Sequence, residues 1–114
     1  MKKIFALIIV TTIVSLTALA QESKTIETEF KVDGNCNLCK NRIEKSMKIA
    51  EVKYAKWNKT TKMLKVAYDN SVTLDSLQKR IAEVGHDTEK FKAKDDTYSK
   101  LPNCCLYRGS SKTH

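Results

Sequence analysis

Thr25-Ile26-Glu27-Thr28-Glu29-Phe30-Lys31-Val32-Asp33-Gly34-Asn35-Cys36-Asn37-Leu38-Cys39-Lys40-Asn41-Arg42-Ile43-Glu44 is the stretch on which the fold turns. Its first half alternates, with Ile26, Thr28, Phe30 and Val32 on one side and Thr25, Glu27, Glu29 and Lys31 on the other. That period of two predicts a strand over residues 24–32 with one buried face. Asp33-Gly34-Asn35 is a turn cluster. From Leu38 the period lengthens: Cys39, Ile43, Met47 and Ala50 share one helical face, opposite Lys40, Arg42, Glu44, Lys45 and Lys48. Asn35 and Asn37 are the candidate N-caps. Two thiols, Cys36 and Cys39, therefore stand where a strand hands over to a helix.

Working outward, residues 52–58 read as a second strand with Val52, Ala55 and Trp57. Asn58-Lys59-Thr60-Thr61 makes a hairpin turn, and residues 62–69 form a third strand presenting Leu64, Val66 and Tyr68. A second helix follows. Thr73 is its N-cap, Asp75 suits the positive end of its dipole, and Val72 with Leu77 forms a hydrophobic staple. Leu74, Leu77, Ile81 and Val84 are its buried stripe and Gly85 its terminator. Residues 86–93 are expected to add a charged edge strand around Phe91. The order βαββαβ predicts an α+β, ferredoxin-like sandwich: a four-stranded antiparallel sheet with two helices on one face, spanning residues 24–93.

The ends are of another kind. Lys2 and Lys3 precede an apolar run over residues 4–16, and Ala18-Leu19-Ala20 supplies a small-x-small cleavage pattern. Residues 1–20 read as a signal peptide, so the protein is expected to be exported, periplasmic or secreted, after cleavage near Ala20. The 94 residues left suit one small domain plus a tail, residues 94–114. They carry 19 basic against 13 acidic residues, a formal charge of +6. Lysines scattered among carboxylates, with no arginine-rich or aromatic-interleaved block, describe a solvated surface rather than a nucleic-acid interface.

All the cysteines follow the signal sequence: Cys36 and Cys39, then Cys104 and Cys105. A disulfide within either pair closes almost no loop and would do little for stability. A helix start favours negative charge, which lowers thiol pKa values and stabilises bound thiolates. Thiolates select soft ions, Cu(I) above all, with Zn(II) borderline and oxygen-preferring ions excluded. Two ligands leave the four-coordinate shell of structural zinc incomplete, so a low-coordinate, transferable ion fits the pair better. Met47 and Met63 occupy core or strand positions and are read as packing. No Ser/His/Asp set, phosphate loop or paired-carboxylate site is legible, so the chain is expected not to be an enzyme.

The strand, the turn ending Gly34-Asn35-Cys36-Asn37-Leu38-Cys39, the following Lys40-Asn41-Arg42-Ile43-Glu44 and the later Val84-Gly85-His86 resemble the heavy-metal-associated domain. That family includes copper chaperones, the amino-terminal modules of copper-transporting ATPases and an exported mercury-binding protein. The resemblance implies Cys36 and Cys39 as metal ligands, Cu(I) as cargo with Hg(II) or Zn(II) as alternatives, and a metal-transporting membrane protein or another carrier as partner. It also implies that His86 lies near the cysteine loop, as a third ligand or a hydrogen-bond donor to a thiolate.

The chain departs from the family where Gly-Met-x-Cys-x-x-Cys is usual. Gly34 occupies the methionine slot, and Leu38, apolar and between the cysteines, is expected to fill the space instead. The tail segment Leu101-Pro102-Asn103-Cys104-Cys105-Leu106-Tyr107 is apolar enough to dock, which would bring Cys104 and Cys105 to the site. Two other readings of the thiols stand beside metal carriage. One is a thiol–disulfide oxidoreductase; the other is a structural zinc clip joining Cys36, Cys39, Cys104 and Cys105.

Overall fold

The computed structural model describes residues 24–109, so the signal-peptide reading of residues 1–20 and His114 lie outside it. The elements are β1 (Thr25–Lys31), α1 (Asn37–Ser46), β2 (Val52–Trp57), β3 (Met63–Asp69), α2 (Leu74–Glu83) and α3 (Asp95–Ser99), followed by a single 3₁₀ turn, Asn103–Cys105. Among these residues no helix is long and apolar enough to cross a membrane.

β3 runs down the middle of the sheet, antiparallel to β1 on one side and β2 on the other. Its register sets Leu64 between Phe30 and Trp57, and Val66 between Thr28 and Ala55. This row faces Ile43 of α1, Met47 at its C-cap, and Leu77 and Ile81 of α2, all buried. The opposite face carries Glu29, Lys56 and Lys65, polar side chains suited to water, with Lys65 Nζ 3.6 Å from Glu29 Oε1. The alternation read in the sequence thus sorts the two faces, although Ile26 at the start of β1 is 39% exposed.

The sheet has three strands, not four. Residues 86–93 form no ladder with β1: just past its end they make an isolated bridge of Val32 with Thr88 and a hydrogen bond from Asp33 N to Asp87 O of 2.8 Å. Their amides are satisfied elsewhere. Thr88 N donates to Phe91 O (2.8 Å), Lys90 N to Gln78 Oε1 (3.1 Å) and Ala93 N to Asp87 Oδ1 (2.8 Å). On β1, Lys31 N donates to Glu89 Oε1 (2.9 Å). A backbone group needs one partner, and here side chains supply what a fourth ladder would have supplied.

Two helix ends follow different rules. Thr73 Oγ1 caps α2 by accepting from Ser76 N, and Gly85, at φ +106°, ends it. At α1 the cap is neither asparagine: Cys36 is the N-cap, its sulfur accepting from Cys39 N at 3.4 Å. Ala50 lies beyond α1 and is exposed.

The chain after Ala93 is folded rather than extended. Leu101 and Tyr107 are 8% and 7% exposed and belong to the core. A Cβ at Gly85 would come within 2.9 Å of Leu101 Cδ2, so the absent side chain is what lets the tail approach α2's end.

Candidate metal centre

Cys36 and Cys39 are brought together by the entry into α1: one caps the helix, the other begins its buried face. Their sulfurs are 3.0 Å apart, and Cys39 is fully buried. The docked tail adds the other two thiols. Cys36 Sγ lies 3.0 Å from Cys105 Sγ and 3.5 Å from Cys104 Sγ, and Cys104 and Cys105 are 3.9 Å apart. All four cysteines are free thiols. Cys36 is the hub, neighbour to each of the others. Cys36, Cys104 and Cys105 form the one group of three or more metal-capable side chains among the described residues.

The surrounding groups tune this cluster. Burial pushes Cys36 up, but hydrogen bonds from Cys105, Cys39 and the Cys39 amide outweigh it and bring the thiol down to about 7. Burial holds Cys39 up, and Asn35, itself buried, accepts from Cys39 Sγ through Oδ1 at 3.6 Å. Cys105 is pushed up to about 12 by burial and by its sulfur neighbours, against the pull of Arg42, whose Nη1 donates to Cys105 Sγ at 3.3 Å. Proximity to Cys36 raises Cys104 to about 11. The cluster therefore releases its first proton near neutrality and holds the rest until a cation compensates the charge.

His86 is fully buried and is not among the grouped ligand atoms. Its Nδ1 lies 2.8 Å from Asp33 O, so Nδ1 carries the proton and donates, while Nε2 has no hydrogen-bond partner among the described residues. Burial brings the ring down to about 4, leaving it neutral. It stacks on Tyr107 at 5.5 Å. His86 thus holds the loop that leads into Cys36 through Asp33.

Leu38 does not fill the methionine slot: it is 50% exposed. Trp57 fills it. A Cβ at Gly34 would stand 3.0 Å from Cys39 Cβ and 3.0 Å from Trp57 Cη2, so glycine is required by the ring. Trp57 is fixed by Nε1 donating to Val32 O (2.9 Å), and Glu44 of α1 accepts from Trp57 N (3.0 Å). The parts that Arg42, Asn35 and Trp57 play at the site are not legible in the sequence, which reads them as a solvent-face residue, a candidate cap and a strand residue. Helical periodicity puts Arg42 on the solvent face, and its sulfur partner arrives from 63 residues away.

No family model matches the chain, and no curated protein matches it. Solved structures do. The yeast copper transporter domain Ccc2a, solved in apo and Cu(I)-loaded states, is 30% identical over 60% of this chain and 97% of its own, with a TM-score of 0.51. This chain belongs to the heavy-metal-associated domain family. The Cu(I)-loaded N-terminal domain of a potential copper-translocating P-type ATPase from Bacillus subtilis is 28% identical, covering 63% of this chain and 94% of its own at a TM-score of 0.54. The CopZ metallochaperone is 27% identical, with 55% and 98% covered and a TM-score of 0.53. Nearly complete heavy-metal-associated domains thus account for little more than half of this chain.

Proposed function

We propose that this protein binds a soft ion, Cu(I) in the first place, through Cys36 and Cys39 and carries it to a metal-transporting membrane protein or another carrier. The observation that carries the reading is the pair of buried sulfurs at 3.0 Å on the first turn of α1. It is supported by the Cu(I)-loaded domains among the similar structures. The donor set is all sulfur, which suits Cu(I) or Hg(II), accommodates Zn(II) and rejects oxygen-seeking ions. Transfer proceeds by ligand exchange: an incoming thiolate joins the ion before one of the first pair leaves. The protein is a carrier rather than an enzyme, and export by residues 1–20 places it in the periplasm or outside the cell.

Anaerobic titration with Cu(I), Hg(II) and Zn(II) tests this. Wild type is expected to take up Cu(I) tightly and Cys36→Ser/Cys39→Ser to lose that uptake. Wild-type uptake by the double variant, or insulin reduction by the metal-free protein, would overturn it in favour of tail-only binding or of thiol–disulfide chemistry.

A further inference from the structure

Resting on that reading of the cysteine loop, we infer that the tail completes it: Cys36, Cys104 and Cys105 form a three-thiolate site for a soft ion in trigonal coordination. The geometry of the sulfurs carries the inference. A two-thiolate linear site needs its sulfurs about 4.6 Å apart for a metal–thiolate bond of about 2.3 Å. Cys36 and Cys39, at 3.0 Å, would have to part to hold an ion between them alone. The triangle with edges of 3.0, 3.5 and 3.9 Å is different. The point equidistant from its corners lies about 2.0 Å from each sulfur, within a few tenths of an ångström of a bond length. The cluster is therefore built for three sulfurs around one ion, with Cys36 common to this triangle and to the CxxC pair.

Two independent features show that the tail is placed rather than passing by. Tyr107 Oη donates to Gly85 O and accepts from Asp87 N, both at 2.8 Å. The Arg108 guanidinium grips Asp87 with Nε at 3.1 Å and Nη2 at 2.9 Å, and Nη2 also reaches Ala93 O at 2.6 Å. Charge balance points the same way. Three thiolates around a monovalent ion leave −2, and Arg42 donates to Cys105 from inside the site.

X-ray absorption at the copper edge of the full chain, loaded anaerobically with one equivalent of Cu(I), gives the test. Wild type is expected to show three sulfurs. Cys104→Ser, at the partly exposed position, is expected to show two, and to lose Cu(I) at least tenfold more readily to bathocuproine disulfonate. Cys105→Ala is expected to behave likewise, with its metal-free melting curve serving as the check on folding. A two-sulfur shell in wild type, or a shell and affinity untouched by Cys104→Ser, overturns the tail site while leaving Cys36/Cys39-dependent binding intact, and a four-sulfur shell overturns the trigonal site. Absence of Cu(I) binding by wild type would instead remove both readings.

Discussion

Burial by itself raises a thiol pKa, yet Cys36 falls to about 7 because three sulfurs and one amide surround it. As an acid with a lowered pKa it is mostly thiolate above that pH and mostly thiol below it. The metal-free protein should therefore gain one thiolate, read as absorbance near 240 nm, with a midpoint close to pH 7. Cys36→Ser should lack the step; a first midpoint at the ordinary thiol value would refute the assignment. Leu38→Ser removes a half-exposed side chain and should change stability by no more than about 0.5 kcal/mol. Trp57→Ala should cost about 3–5 kcal/mol, and Gly34→Ala about 1–3 kcal/mol, in urea unfolding. The two thiols and their chemistry were legible because spacing and flanking periodicity are local signals. The partner of Gly34 was not, since Trp57 meets it only after β2 has paired with β3.

Among the elements, those with a local cause were legible and those with a distant one were not. Both main helices and three strands follow from periodicity, a threonine cap and a terminating glycine. The absent fourth strand depends on Glu89, Gln78 and Asp87 spending their side chains on backbone amides, which no window of sequence displays. The tail depends on Arg108 and Asp87, 21% and 15% exposed, meeting across the fold. Arg108→Ala should cost about 1–3 kcal/mol by leaving the Asp87 carboxylate without its charged donor. It should raise amide exchange in α3 and at Cys105 more than in β3. Burial raises the Asp87 pKa, but Arg108 and the Ala93 amide pull it below 3.8. A depressed carboxylate stabilises the fold above its unfolded pKa, and that contribution fades as pH drops through the folded one. Wild type should lose this increment in acid below about pH 4, whereas Asp87→Asn should show no such loss.

For the whole molecule, the core runs unbroken from the sheet through both helices to Leu101, Cys105 and Tyr107. Such a core predicts a fold that forms without metal, whereas a structural zinc clip predicts the reverse. Saturating Cu(I) should raise the melting temperature, the added stability growing with the logarithm of the ratio of free ion to dissociation constant and reaching about 4 kcal/mol at a thousandfold ratio. Stripping the ion with a chelator should return a cooperative, lower transition; unfolding at room temperature on stripping would restore the clip.

Tyr107 and Arg108 tie the last described turn to the loop after α2, and Cys105 is sealed beneath it. If the protein delivers an ion as proposed, an acceptor would meet Cys104 at the surface but Cys39 and Cys105 beneath it, and delivery would have an opening step before those sulfurs are exchanged. Under the proposed carrier function, the residence time of the cargo would depend on how often this end of the chain swings open, a frequency governed by the clasp at Asp87, as well as on the metal–sulfur bonds.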